Sequence, residues 1–243
     1  MTKFLEKHET SFCIFLIIVY IVSNSLCVQF FGNIGAAGFI VNTVLSLCLT
    51  AIMLATKRTA YYGLKKVDSP RQYLYFIPLA IIVTVNLWGG FNFNHPSREI
   101  LFHILTMLNV GFIEEIIFRG FLFKMMAKSS IKSAVIVSSV TFGAGHIINL
   151  LNGAQLIPTL VQICYATSIG YLFVIIFHKS RSLIPCIITH SLVNSLSIFK
   201  VDNMVSMYAA PVFLTIMPLA YAFYINKRAD RQKKYDPQSL KRI

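Results

Sequence analysis

Apolar positions in this chain come in long unbroken blocks, not in the one-faced spacing of a surface helix. Eight blocks can be drawn: Ser11–Phe31, Ile34–Thr56, Tyr73–Gly90, Ile100–Phe123, Ser133–Leu151, Leu156–Phe177, Leu183–Phe199 and Met204–Ile225. Each has about 17–25 residues, the length a helix needs to cross about 30 Å of hydrocarbon. The pattern predicts an all-α, polytopic membrane bundle of about eight transmembrane helices. The first block is too long for a signal-peptide core, and no clean small-x-small site follows it, so it reads as a retained helix.

Composition sharpens this picture. The 243 residues are 56% hydrophobic and 13% charged, against about 25% charged in soluble domains. A water-soluble enzyme, a disordered chain and a disulfide-stapled secreted domain are excluded. The five cysteines (Cys13, Cys27, Cys48, Cys164 and Cys186) lie inside apolar blocks without a C-x-x-C pair, as small buried side chains do.

The net charge of +13 is explained by where the basic residues fall. With the N-terminus cytoplasmic, Arg98 and Lys200 lie outside and Arg119 lies within a block. The other nineteen of the 22 Lys and Arg residues fall on the cytoplasmic side, a strong positive-inside pattern that makes both termini cytoplasmic. These loops and the basic tail, Lys227–Ile243, face anionic headgroups. They form no single basic face for nucleic acid. The partners implied are the lipid bilayer and whatever peptide or protein reaches it. The compact loops suit a multi-pass protein of a bacterial plasma membrane.

Of nine acidic residues, seven lie in loops or termini; the other two, Glu114 and Glu115, are adjacent in the middle of the fourth block. Arg119 follows one turn later. A charge near the bilayer centre costs roughly 2.5–3.5 kcal/mol even on a lenient scale, so all three should face the bundle interior. Glu115 and Arg119 are spaced i,i+4 with the acid first, the favoured order for an ion pair. Glu114 points about 100° away around the helix and stacks over Phe118. It is left as the free carboxylate, suited to a general base or proton shuttle. The competing reading is a buried ion-pair network that only holds helices together.

Two of six histidines, His146 and His190, lie inside blocks. His190 and Asn194 share a helix face at i,i+4. The fifth block also carries Ser138, Ser139, Thr141 and Asn149, and the seventh Ser191, Ser195 and Ser197. Small polar residues suit helices packed against helices rather than against lipid. A carboxylate, two imidazoles and a carboxamide can support hydrolysis of an amide. Glu114, bonded to His146, would deprotonate water, while His190 and Asn194 would donate to the developing oxyanion. The same Glu114, His146 and His190 could instead ligate zinc, although the spacing is not H-E-x-x-H. From the assumed ends, Glu114 and His190 fall in the cytoplasmic half. His146 lies ~21 Å from Lys132, which is deeper.

Glu114-Glu115-x-x-x-Arg119, Phe142-x-x-x-His146 and His190-x-x-x-Asn194, in that order on three polar blocks, resemble the CPBP family. These are the CAAX proteases and bacteriocin-processing enzymes, also called Abi proteins. The Leu183-Ile184-Pro185 lead is similar too. The resemblance covers residues 100–199. Residues 1–99, with three helices, and residues 200–243, with the last helix and tail, carry no motif. It implies an eight-helix intramembrane endopeptidase. Glu114 would activate water with His146 as its partner, His190 and Asn194 would stabilise the oxyanion, and Glu115, Arg119 and Phe142 would shape the site. Such proteins are described both as zinc enzymes and as metal-independent glutamate proteases. With one Asn and no third histidine or second free acid, no cofactor is favoured, zinc being the alternative. The substrate implied is a small membrane-associated or lipidated peptide, as in pheromone or bacteriocin processing, self-immunity, or CAAX-type processing. Two other functions fit a membrane bundle: a non-catalytic scaffold or immunity protein, and a proton-coupled transporter.

Overall fold

The computed structural model describes residues 7–67 and 75–235 of the chain. Lys3, Glu6, Asp68, Arg71, the first residues of the block at Tyr73, and the tail from Asp236 lie outside the described residues. Eight apolar helices follow in order: α1 (Glu9–Phe31), α2 (Ala36–Ala55), α3 (Ile77–Leu87), α4 (Ser97–Met126), α5 (Ile131–Leu150), α6 (Leu156–Ser180), α7 (Ile184–Phe199) and α8 (Val205–Lys227, continuing to Tyr235). Among the described residues there is no strand, only an isolated antiparallel bridge between Phe91 and Lys200.

Six of these helices are long and apolar enough to cross a membrane; α3 and α7 are shorter. The expected third span is therefore only eleven residues of helix, or ~16 Å at 1.5 Å per residue. Its limits are local. Pro78 sits in its first turn, the last turn tightens to a 3-10 helix, and Gly89 and Gly90 follow, the latter at φ +108°. Other ends have equally local causes. The Gly32 N–H closes α1 on the Val28 carbonyl from φ +82°, and the Ser130 side chain accepts the Ser133 N–H at 3.2 Å to cap α5.

Helix α4 is central. It packs on α2, on α5 and along α7; α1 covers α2 and the lower part of α4, and α6 lies between α5 and α8. Small residues permit the closest approaches. A Cβ on Gly111 of α4 would collide with Ser191 of α7, and one on Gly143 of α5 with Thr167 of α6.

The basic loops gather at one end of the bundle, as the positive-inside pattern requires. Lys128 Nζ meets Glu9 at 2.6 Å, Ser182 Oγ donates to the Lys65 carbonyl at 2.6 Å, and the Leu183 N–H to Gly63 at 2.8 Å. The opposite end brings Asn92 to Phe199 and Asn203 to Gly89.

Candidate active site

The two adjacent glutamates close the α-helical part of α4, and from Ile116 to Phe123 the chain winds as a π-helix whose eight residues are all buried. The wider turn needs outside partners for its backbone. Ser138 of α5 supplies one, its hydroxyl donating to the Phe118 carbonyl at 2.8 Å.

Glu115 and Arg119 form the ion pair expected from their spacing, at 3.0 Å with both side chains fully buried. The guanidinium also lies over the Phe142 ring, 4.1 Å from its centroid, and 5.8 Å from that of Phe173. Ring faces thus solvate the part of the cation that the carboxylate does not. The same Glu115 Oε1 accepts from His190 Nδ1 at 2.9 Å. Glu115 is therefore shared between a cation on its own helix and an imidazole from α7.

Glu114 turns the other way, into a cavity of about 530 Å³ lined also by Phe142, His146 and Asn194. Its Oε1 accepts the Tyr20 hydroxyl of α1 at 2.5 Å, and its Oε2 lies 3.5 Å from His190 Nε2. His146, in the 3-10 turn that ends α5, directs Nδ1 to the Phe142 carbonyl at 3.2 Å. Carbonyl and carboxylate oxygens only accept, so Nδ1 carries the hydrogen in both imidazoles. Nε2 of each is left for Glu114 or the cavity.

The structure thus brings Glu114, Phe142, His146 and Asn194 around one space, with His190 against Glu114 at 3.5 Å and Glu115 and Arg119 fully buried, off the cavity surface. Phe142 is the hub: its ring meets those of Phe118, His146 and His190 edge-on, at 5.5, 5.6 and 5.6 Å. Glu114 is bonded to Tyr20 rather than to His146. Tyr20 was not anticipated from the sequence. Its available signal was a polar stripe, Tyr20, Asn24 and Ser25, on one face of an otherwise apolar helix. His146 lies near the far end of α5, whereas α7 enters from the basic end and carries His190 only six residues in.

Among the described residues no three His, Cys, Asp or Glu side chains gather as a metal's ligands would. Glu114 Oε1 already accepts a hydroxyl, and His190 Nδ1 is committed to Glu115. Glu114 Oε2 and the Nε2 atoms of His146 and His190 are the donors that zinc would take from this set, with both Nδ1 hydrogens making the outer bonds usual for metal-ligating histidines.

Long apolar spans around a buried carboxylate–imidazole cluster define an integral, multi-pass membrane protein. Residues 96–196, essentially α4 to α7, match the family model described as type II CAAX prenyl endopeptidase, Rce1-like. The match agrees with the resemblance to the CAAX proteases carried by the three motifs, and it supports intramembrane protease activity. No curated protein and no solved structure matched the chain.

Proposed function

We propose that this protein is an intramembrane endopeptidase in which Glu114 activates a water molecule. The observation that carries this reading is the position of Glu114. It is a carboxylate on a cavity wall, oriented by Tyr20 and facing His190 Nε2 at 3.5 Å.

In the proposed reaction, Glu114 takes a proton from water as the water oxygen attacks the carbonyl carbon of the scissile amide. The oxyanion that forms is held by the Asn194 carboxamide N–H, since both imidazole Nδ1 hydrogens are committed to Glu115 and the Phe142 carbonyl. Collapse breaks the C–N bond, and the proton passes from Glu114 to the leaving amine. A proton on either partner makes the Glu114–His190 contact attractive, so the pair can hold the proton between steps. His146 offers Nε2 across the same cavity. Glu115 acts through His190 by fixing its ring and tautomer, and Arg119 neutralises Glu115. No step is routed through a metal.

The substrate class proposed is a peptide bond in a small membrane-associated peptide or protein, and the setting a bacterial plasma membrane. Glu114→Gln keeps size and hydrogen bonding but removes the base, so the folded variant should lose processing of a peptide substrate. Full processing by Glu114→Gln would refute the reading and leave a scaffold or immunity role. Zinc measured in purified protein, and activity retained after strong chelation, test the metal-independent route.

A further inference from the structure

The site is closed towards the basic loops and open towards the other end of the bundle. On the closed side lie Glu115 and Arg119, both fully buried, and then the buried aromatic layer of Phe121, Phe123, Phe173 and Phe177 under Tyr62. A small cavity of about 180 Å³ at the basic end, bordered by Lys124 and Arg181, shares no residue with the cavity of Glu114.

On the open side the cavity of Glu114 runs up to two exposed turns. Asn33 comes from the α1–α2 turn, and Asn152, Gly153 and Ala154 from the α5–α6 turn. Ser25 Oγ donates to Asn152 Oδ1 at 2.8 Å across this mouth. A second cavity of about 440 Å³ adjoins it through Asn24, Val28, Asn33, Met107 and Val110 and continues to Asn92, His95 and Lys200 at the same end. Among the described residues no Lys or Arg lines the cavity of Glu114, and Glu114 is its sole acid. Beside Tyr20, Ser25 and His146, its polar wall carries six carboxamides: Asn24, Asn33, Asn149, Asn152, Gln162 and Asn194.

We infer that the substrate reaches Glu114 from the membrane face opposite the basic loops, as an extended, uncharged stretch of peptide. This rests on the protease reading above and adds to it the side of access and the substrate chemistry. A carboxamide offers one acceptor and two donors in the geometry of a main-chain amide, so a row of them can pair with both edges of an extended backbone. Among the described residues the lining carries no lysine or arginine for a carboxylate or phosphate group. Nineteen of the 22 basic residues belong to the closed side or its tail by the sequence pattern, which makes the closed side cytoplasmic. The peptide is then one presented on the outer side, not a carboxyl terminus displayed in the cytoplasm.

Two measurements on the full-length chain test this. First, Ala154→Cys and Ser129→Cys are treated in intact cells with a membrane-impermeant maleimide, the wild-type chain being the blank for its native cysteines. Ala154→Cys should label at once and Ser129→Cys only after permeabilisation. The reverse order overturns the inference without touching the protease reading. Second, an uncharged quenched decapeptide is supplied to one face or the other of proteoliposomes of uniform orientation. Cleavage should be at least tenfold faster from the Ala154 face, and Asn152→Leu should raise KM with kcat retained. Equal or faster cleavage from the Ser129 face, or an unchanged KM, overturns the inference. Cleavage that survives Glu114→Gln refutes the protease reading instead and leaves the labelling result standing.

Discussion

Replacing Glu115 with Ala should unfold this protein far more readily than replacing its neighbour Glu114. Glu115 Oε1 accepts from Arg119 at 3.0 Å and from His190 at 2.9 Å, and neither member of the ion pair has any exposed surface. Removing the acid strands a guanidinium in a dry interior, with only the Phe142 and Phe173 rings against it. Breaking one partner of a buried pair costs about 3–5 kcal/mol, a large share of the roughly 5–15 kcal/mol that holds a typical domain together. At roughly 2–4 °C per kcal/mol for a chain of this size, the unfolding midpoint should fall by about 6–20 °C. The assay is thermal unfolding of detergent-purified protein, read by loss of the monodisperse peak. The double variant Glu115→Leu with Arg119→Met, which removes both charges, should recover most of that loss yet remain inactive, because His190 has lost its anchor. A Glu115→Ala midpoint within about 2 °C of wild type would refute the argument, since it would mean that Arg119 is solvated by something other than Glu115.

Other outcomes can be stated more briefly. Tyr20→Phe removes a hydrogen bond to a charged group, worth about 1.5–3 kcal/mol; kcat should fall by roughly 10–100-fold with the fold intact. His146→Ala should lower kcat on the order of 10²–10⁴-fold in peptide cleavage, the range for losing a general acid or base. Gly143→Ala drives a Cβ into Thr167 and the Ile163 carbonyl, and overpacking of this kind should cost about 1–3 kcal/mol in thermal unfolding. At the basic end the hydrogen bond from Glu9 raises the Lys128 pKa above the usual lysine value. Its contribution is present in full below the ordinary lysine pKa and is lost as pH climbs through the raised one. Lys128→Gln should therefore destabilise by no more than about 0–1 kcal/mol at neutral pH, and the gap to wild type should close only in strong alkali.

The sequence made the spans and the costly residues legible, because length and ionisation are local properties. Glu114, Glu115 and Arg119 stood out in an apolar block, and the i,i+4 rule alone assigned Arg119 to Glu115. The site's other contacts depend on which helices touch. Tyr20 and Glu114 are 94 residues apart, and an apolar helix containing one tyrosine does not announce which carboxylate it will meet. Glu114 is bonded to Tyr20 rather than to His146, which sits in a 3-10 turn with Nδ1 on the Phe142 carbonyl and Nε2 left toward the shared cavity. The short α3 was hidden because its apolar block, Tyr73–Gly90, begins ahead of Pro78 in the first turn and continues beyond Leu87, where the helix ends.

The hydroxyl of Tyr20 comes from a helix some seventy-five residues upstream of the stretch that carries the three motifs. A trimmed version keeping only residues 96–196 would retain every motif side chain. It would present Glu114 to lipid with neither its phenol nor the wall formed by Asn24 and Ser25. The smallest unit able to turn over a substrate should therefore begin at the first span, and α1 is as much a part of the enzyme's working apparatus as the helix bearing the two glutamates.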